Sequence, residues 1–229
     1  MKKNSLYVLI ILFIGSIFSL TAQETVTGEI IYIEGEVNLS RNGVMLPYYE
    51  VDMGTAIEEE DMVRTGSDGY VEVELAYPRQ GTLLKIQANT AFYFENRTGG
   101  DKSTTNIKLL SGSIGLKVSK LANNQSMNVE TQSAVMGIRG TDFDVNKSPT
   151  GEILVTCEEG KVSCSTPAME VFSFPGQIAE QSDGKDFDTK EISVQDLLSY
   201  KDNWWNGAPT KTCSHGATSM PDSGEFKWD

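Results

Sequence analysis

Apolar and polar positions alternate in short runs along most of the chain. Val71, Val73 and Leu75 share one strand face, and Glu72 and Glu74 share the other. Leu84, Ile86 and Ala88 repeat that parity, and Phe92 and Phe94 continue it. Gly28–Ser40 alternates imperfectly and then meets Asn42-Gly43, a pair that tolerates the left-handed backbone of a tight hairpin. Val44-Met45-Leu46 follows as the return strand, and Pro47 suits a strand end. Arg64–Tyr70 reads as a turn, and Ile107–Val118 as two short strands around Gly112. Asn96–Asn106 and Leu121–Ser126 read as polar loops. Strands this short, spaced roughly 8–12 residues apart, predict an all-β sandwich, barrel or solenoid-like roll with hairpins. No helical period occurs before Ser193, which excludes a doubly wound or barrel-type α/β enzyme.

The pattern tightens in Val129–Val145, where strand-like ends flank Gly137-Ile138-Arg139-Gly140-Thr141. Glycine marks a backbone that needs positive φ or a close approach, so Arg139 is one large cation in a tightly packed place. Burying a lone charge costs several kcal/mol or more, so such an arginine needs a partner. One reading is a buried brace. A planar carboxylate matches the guanidinium fork, so a carboxylate, Asp61 first, or several backbone carbonyls are the expected partners. The other reading is an anion-binding arginine in a glycine nest, although no helix start or lysine follows as at phosphate sites.

Ile153–Ser165 is expected to form a hairpin about Glu159-Gly160, with Cys157 opposite Val162 and Val155 opposite Cys164. Both cysteines then lie on the core row as diagonal neighbours. Small buried hydrophobes are the plain reading, and a Cys157–Cys164 disulfide the alternative. Beyond Pro167 the composition shifts, and the β domain is bounded at residues 23–175. An extension over 176–206 carries a capping signal at Ser193 and Asp196, ahead of one short amphipathic helix with Leu197, Leu198, Tyr200, Trp204 and Trp205. The side of that helix with Leu197, Leu198 and Trp204 is expected to dock on the β domain; Trp204 and Trp205, if exposed, are instead partner-binding anchors. Residues 207–229 lack apolar periodicity and read as a disordered tail.

Charge changes the picture of partners. Met1–Ala22 has the lysines, the apolar core and the small residue of a secretory signal peptide, and its run is short for a membrane span. An uncleaved anchor is the alternative. Two of the 19 basic residues and none of the 32 acidic ones lie in that segment, so the remainder carries −15. Such a surface repels nucleic acid and anionic lipid. Glu58–Asp61 is the densest acidic run; a solvated loop is the expectation, a calcium site the alternative.

Three ordered runs, EEEDMVRTGSDGYVEVEL, AVMGIRGTDFDV and GEILVTCEEGKVSCS, resemble the FecR domain family over roughly Val26–Ser165. The family's landmarks fall on Asp61, Thr65, Gly66 and Gly69, then on Gly137, Arg139, Gly140 and Thr141, and last on Gly160. The resemblance implies a non-enzymatic, extracytoplasmic all-β module of bacterial envelopes. Only five residues precede the apolar run, so the cytoplasmic anti-sigma segment and role of those regulators are not expected here.

The chemistry agrees. The one histidine, His215, sits beside Cys213 in the tail, two ligands where zinc needs three or four. No histidine base serves a nucleophile in the ordered region, and no phosphate or dinucleotide fingerprint occurs. Asp142 and Asp144 have the spacing of any solvated strand face, although two carboxylates suffice for glycoside hydrolysis. No cofactor and no metal are expected. The reading is an exported protein-binding, scaffold or signalling module whose partner is another envelope protein. The alternative is a carbohydrate-binding or carbohydrate-acting protein with exposed Tyr48, Tyr49, Trp204 and Trp205. Cleavage after Ala22 predicts that N-terminal sequencing of the exported protein starts at Gln23 or within a few residues; intact Met1 in the membrane fraction would refute it.

Overall fold

The computed structural model describes residues 26–76, 81–99, 102–182 and 184–198. Among the described residues, seventeen strands form one continuous hydrogen-bonded network that folds into two layers. One layer runs β4 (Ala56–Glu58), β1 (Val26–Glu34), β6 (Tyr70–Leu75), β7 (Thr82–Ile86), the second half of β9 (Lys102–Lys117), β12 (Asp142–Lys147), β13 (Ile153–Glu159), β16 (Gln177–Gln181) and β17 (Phe187–Glu191). The other runs β3 (Val44–Met45), β2 (Val37–Arg41), β5 (Met62–Thr65), β8 (Ala91–Gly99), the first half of β9, β10 (Gln125–Glu130), β11 (Val135–Ile138), β14 (Val162–Ser165) and β15 (Glu170–Ser173). Among the described residues, all pairings are antiparallel except β9–β10. The all-β expectation holds, in the form of a sandwich-like roll.

Period-2 patterning explains the layers. Val71, Ile86, Ile114, Val145, Val155 and Ala179 form one cross-strand row on the inner face of the first layer. Phe94, Ile107, Val129, Met136 and Cys164 form the facing kind of row on the second. All of these are buried and belong to one core.

β9 is the hinge of the design, 16 residues long and a member of both layers. It turns at Gly112, which has φ +93°, and a Cβ there would stand 2.7 Å from the Thr90 Cβ. Thr90 Oγ1 accepts from the Ser113 N–H at 2.9 Å, and Thr65 Oγ1 accepts from the Thr90 N–H at 2.9 Å while donating to the Gln87 carbonyl at 2.6 Å. So Thr65 belongs to the corner where the layers join. Gly66 and Gly69 continue the same turn: the Gly66 N–H donates to the Glu36 carbonyl at 2.8 Å, and the Gly69 N–H to the Gly66 carbonyl at 3.2 Å.

Three expectations are corrected. Residues expected to form the Asn96–Asn106 loop lie largely in β8 and β9, whose hairpin runs to Gly99 and restarts at Lys102. β13 and β14 are not a hairpin: Gly160 is a corner, and the two strands pair in different layers. Cys157 and Cys164 are therefore buried across the core from one another as free thiols. Burial, then the Asp142 charge, pushes Cys157 up to about 11, and burial pushes Cys164 to about 12, so both stay neutral and unreactive at physiological pH. The network also runs through β16 and β17 to Glu191, past the boundary drawn at 175.

At Ser193 the cap forms as read, Ser193 Oγ accepting from the Asp196 N–H at 3.1 Å, and a helix covers 194–198. Leu197 is half-buried but Leu198 is 51% exposed, so that end of the helix does not dock as expected. Trp204, Trp205 and the tail at 207–229 lie outside the described residues, as do Met1–Ala22 and Cys213.

The acidic run is a turn in which Glu60 is exposed, but its last member departs from the solvated reading. Asp61 is fully buried and accepts from Arg41 Nε at 3.1 and 3.2 Å and from Nη2 at 2.7 Å. Arg41 also pairs with Glu58 and donates to the Ala56 carbonyl at 2.8 Å, and Asp61 Oδ2 accepts from the Glu58 N–H at 2.9 Å. This brace ties β2 to the β4–β5 turn. Replacing Arg41 with Met should lower the unfolding free energy by about 3 kcal/mol, the low end for a stranded buried charge because Arg41 keeps partial exposure. Urea unfolding measures it, and a loss under about 1 kcal/mol would remove the brace from the account.

Candidate functional site

The outward face of the second layer carries rows of polar residues. Glu95, Asn106, Asn128, Gly137, Ser163 and Phe172 stand in register across β8, β9, β10, β11, β14 and β15. The next row, Lys108, Glu130, Val135, Ser165 and Glu170, is closed by Lys108, which pairs with Glu95 at 2.9 Å and with Glu130. Because Gly137 has no side chain, the first row dips there. The dip opens into a trough of about 550 Å³ lined by Asn128, Gly137, Arg139, Lys161, Ser163 and Phe174 among others.

Arg139 stands at one rim, and here the expectation of a buried brace is overturned. Its side chain is exposed and its Nη2 donates to Asn123 Oδ1 at 2.8 Å, not to Asp61. The reason lies in the register. Ile138, one position earlier, takes the inward place opposite Val162, so Arg139 must face outward. Asp61 meets Arg41 instead. Lys161 stands beside Arg139 at the trough with its Nζ 4.3 Å from the centre of the Phe172 ring. Among the described residues neither cation makes an ion pair with a carboxylate.

The glycines of this region divide by task. Gly140 and Gly160 have φ +85° and +84° and lie against each other, a Cβ on Gly160 standing 2.8 Å from the Gly140 carbonyl oxygen. They make the paired corners where β11 leads to β12 and β13 to β14. Thr141 is buried beside them, with its Oγ1 lacking a partner. Gly137 differs. A Cβ there would meet nothing closer than Ser163 Cβ at 3.6 Å, so the fold tolerates a side chain. Its bareness leaves the trough open.

Of the residues singled out by sequence, Gly137, Arg139, Gly140 and Gly160 converge on the trough, while Asp61, Thr65, Gly66 and Gly69 lie in the brace and the layer corner. Lys161, Asn128 and Ser163 were missed; their only sequence signal is outward parity on strands whose pairing partners are distant in the chain. Asp142 lies 3.7 Å from Lys117, and Asp144 accepts from Thr156 at 3.3 Å. No group of three or more His, Cys, Asp and Glu is placed to hold a metal among the described residues.

A second surface lies at the other end of the roll. Val44, Met45, Tyr48, Tyr49 and Met53 are each 60% or more exposed, and they fall within ten residues of one another, on β3 and the 48–53 turn. Tyr48 and Tyr49 hold their rings edge to face at 5.6 Å.

Residues 61–163 match the family model described as FecR protein. No curated protein matches the sequence. Two crystal structures of a candidate anti-sigma factor from Parabacteroides distasonis ATCC 8503, at 1.65 and 2.50 Å, share the fold with a TM-score of 0.51 and 16% identity. The match takes in 61% of this chain and 64% and 63% of those chains, just under two thirds of their length. No helix among the described residues is long and apolar enough to cross a membrane. An Arg139 whose hydrogen bond, to Asn123, is exposed can be removed cheaply: Arg139→Met should shift unfolding free energy by no more than about 0.5 kcal/mol, checked by urea titration. A loss of several kcal/mol would restore the brace.

Proposed function

We propose that this chain, which carries a FecR domain over residues 61–163, is an exported, non-enzymatic binding module of the bacterial envelope that acts in signalling or regulation through another envelope protein. The FecR match supports a regulatory role over a catalytic one. The observation that carries the reading is the exposed apolar cluster at β3 and the following turn. Single exposed apolar residues are ordinary, but five large ones this close together mark a surface made to be covered. Tyrosine and methionine are side chains enriched at protein interfaces, where rigid rings and an adaptable thioether give contact area at low ordering cost.

The cluster does not invite pairing by strand addition. Pro47 stands two positions beyond Met45 and offers no N–H on that outer edge. Recognition would therefore run through side chains rather than through main-chain hydrogen bonds. A photo-crosslinker placed at position 49 in cells should trap one discrete envelope protein. The adduct should vanish on Met45→Glu with Tyr48→Glu, while the thermal midpoint stays put because both side chains are exposed. Adducts that form only at distant surface positions would move the protein-binding face elsewhere.

A further inference from the structure

We infer that the Gly137 trough is a binding site for an acidic, hydroxylated sugar, a uronate-type residue of an envelope polysaccharide. This goes beyond the protein-binding reading and does not rest on it, since the two surfaces are different.

Charge sets the class of ligand. The chain carries −13, yet Arg139 and Lys161, the positions next to the paired Ile138 and Val162, both line the trough, with no carboxylate paired to either among the described residues. Arg139 commits a single bond to Asn123, which leaves most of its five N–H donors without a protein acceptor among the described residues. An anion is the complement, and a planar carboxylate fits the fork.

The floor narrows the class further. Asn128 donates through Nδ2 to Asn106 Oδ1 at 2.9 Å, and that fixes its own Oδ1 toward the bare Gly137. Asn128 Oδ1 and Ser163 Oγ stand 3.8 and 3.9 Å from where a Gly137 Cβ would sit. Ser163 Oγ donates to Glu170, so toward the trough it too is an acceptor. A bare phosphate or sulfate would set its oxygens against these acceptors. A sugar acid instead presents hydroxyl donors to the floor and its carboxylate to the rim. Phe174, 45% exposed at the edge, offers a flat apolar surface to the C–H face of a ring.

The sheet argues against a peptide. β10, β11 and β14 are each paired on both sides, so the floor has no free main-chain N–H or C=O row for a strand to join. The trough is open rather than enclosed, which suits a polymer lying across it, and about 550 Å³ is within the usual range for small-ligand sites.

Isothermal titration of the exported chain with trigalacturonate, an alginate trimer and a glucuronate disaccharide tests this. At least one should saturate, and neutral trigalactose, inorganic phosphate and a glutamate-rich peptide should each bind at least roughly tenfold more weakly. Arg139→Gln and Lys161→Gln should each weaken the bound sugar acid by roughly tenfold, as expected for losing a charged hydrogen bond. Gly137→Ala, which the backbone tolerates, should weaken it by filling the floor while leaving the thermal midpoint unchanged. No saturation with any of the three sugar acids overturns the proposal. So does equal binding of phosphate, the neutral trisaccharide or the peptide, or variants that bind like the parent.

Discussion

The two layers depend on one strand being able to belong to both. β9 pairs with β8 and β10 along its first half and with β7 and β12 along its second, and the change of layer occurs at Gly112. A side chain there would collide with Thr90, and Thr90 holds the bend by hydrogen bonding to Ser113 on one side and Thr65 on the other. The inner rows of both layers meet in one core only because that corner is tight. A gentler bend would splay the layers and expose Phe92, Phe94 and Ile107, which are fully buried.

Much of this was legible in the sequence. Alternation placed β6, β7 and β8 and their inward residues, Asn42-Gly43 placed the β2–β3 turn with φ of 51° and 76°, and Ser193 with Asp196 placed the helix start. These are local signals, carried within a few residues. What failed was pairing. Glu159-Gly160 has the chemistry of a hairpin turn, but in a two-layer roll the same glycine turns a corner from one layer to the other, and no local pattern separates the two outcomes.

The arginines show the same limit at the level of a site. A guanidinium clasped by the Asp61 carboxylate was expected, and one exists, half-buried, but it belongs to Arg41. Arg41 sits next to a hairpin turn and looks like an ordinary surface residue, whereas Arg139 lies between glycines and looks like a buried one. The glycines next to Arg139 serve backbone approach at Gly140 and openness at Gly137, not packing around the arginine. The trough itself gathers residues from β10, β11 and β14 and from the turn after β15, and only the register of four strands brings them together.

That same shared strand sets a timetable for the molecule. β9 cannot complete its second half until β12, at Asp142–Lys147, has arrived, and β1 waits for β6 before its inner residues are covered. Pairings this far apart in sequence, together with the parallel β9–β10 step, make loop closure the slow part of assembly. Until β12 is in place, the second half of β9 has only β7 beside it, and Ile114 and Leu116 lack one side of their cover. A fold built on one late-closing strand places its demand on whatever shields the nascent chain during that interval.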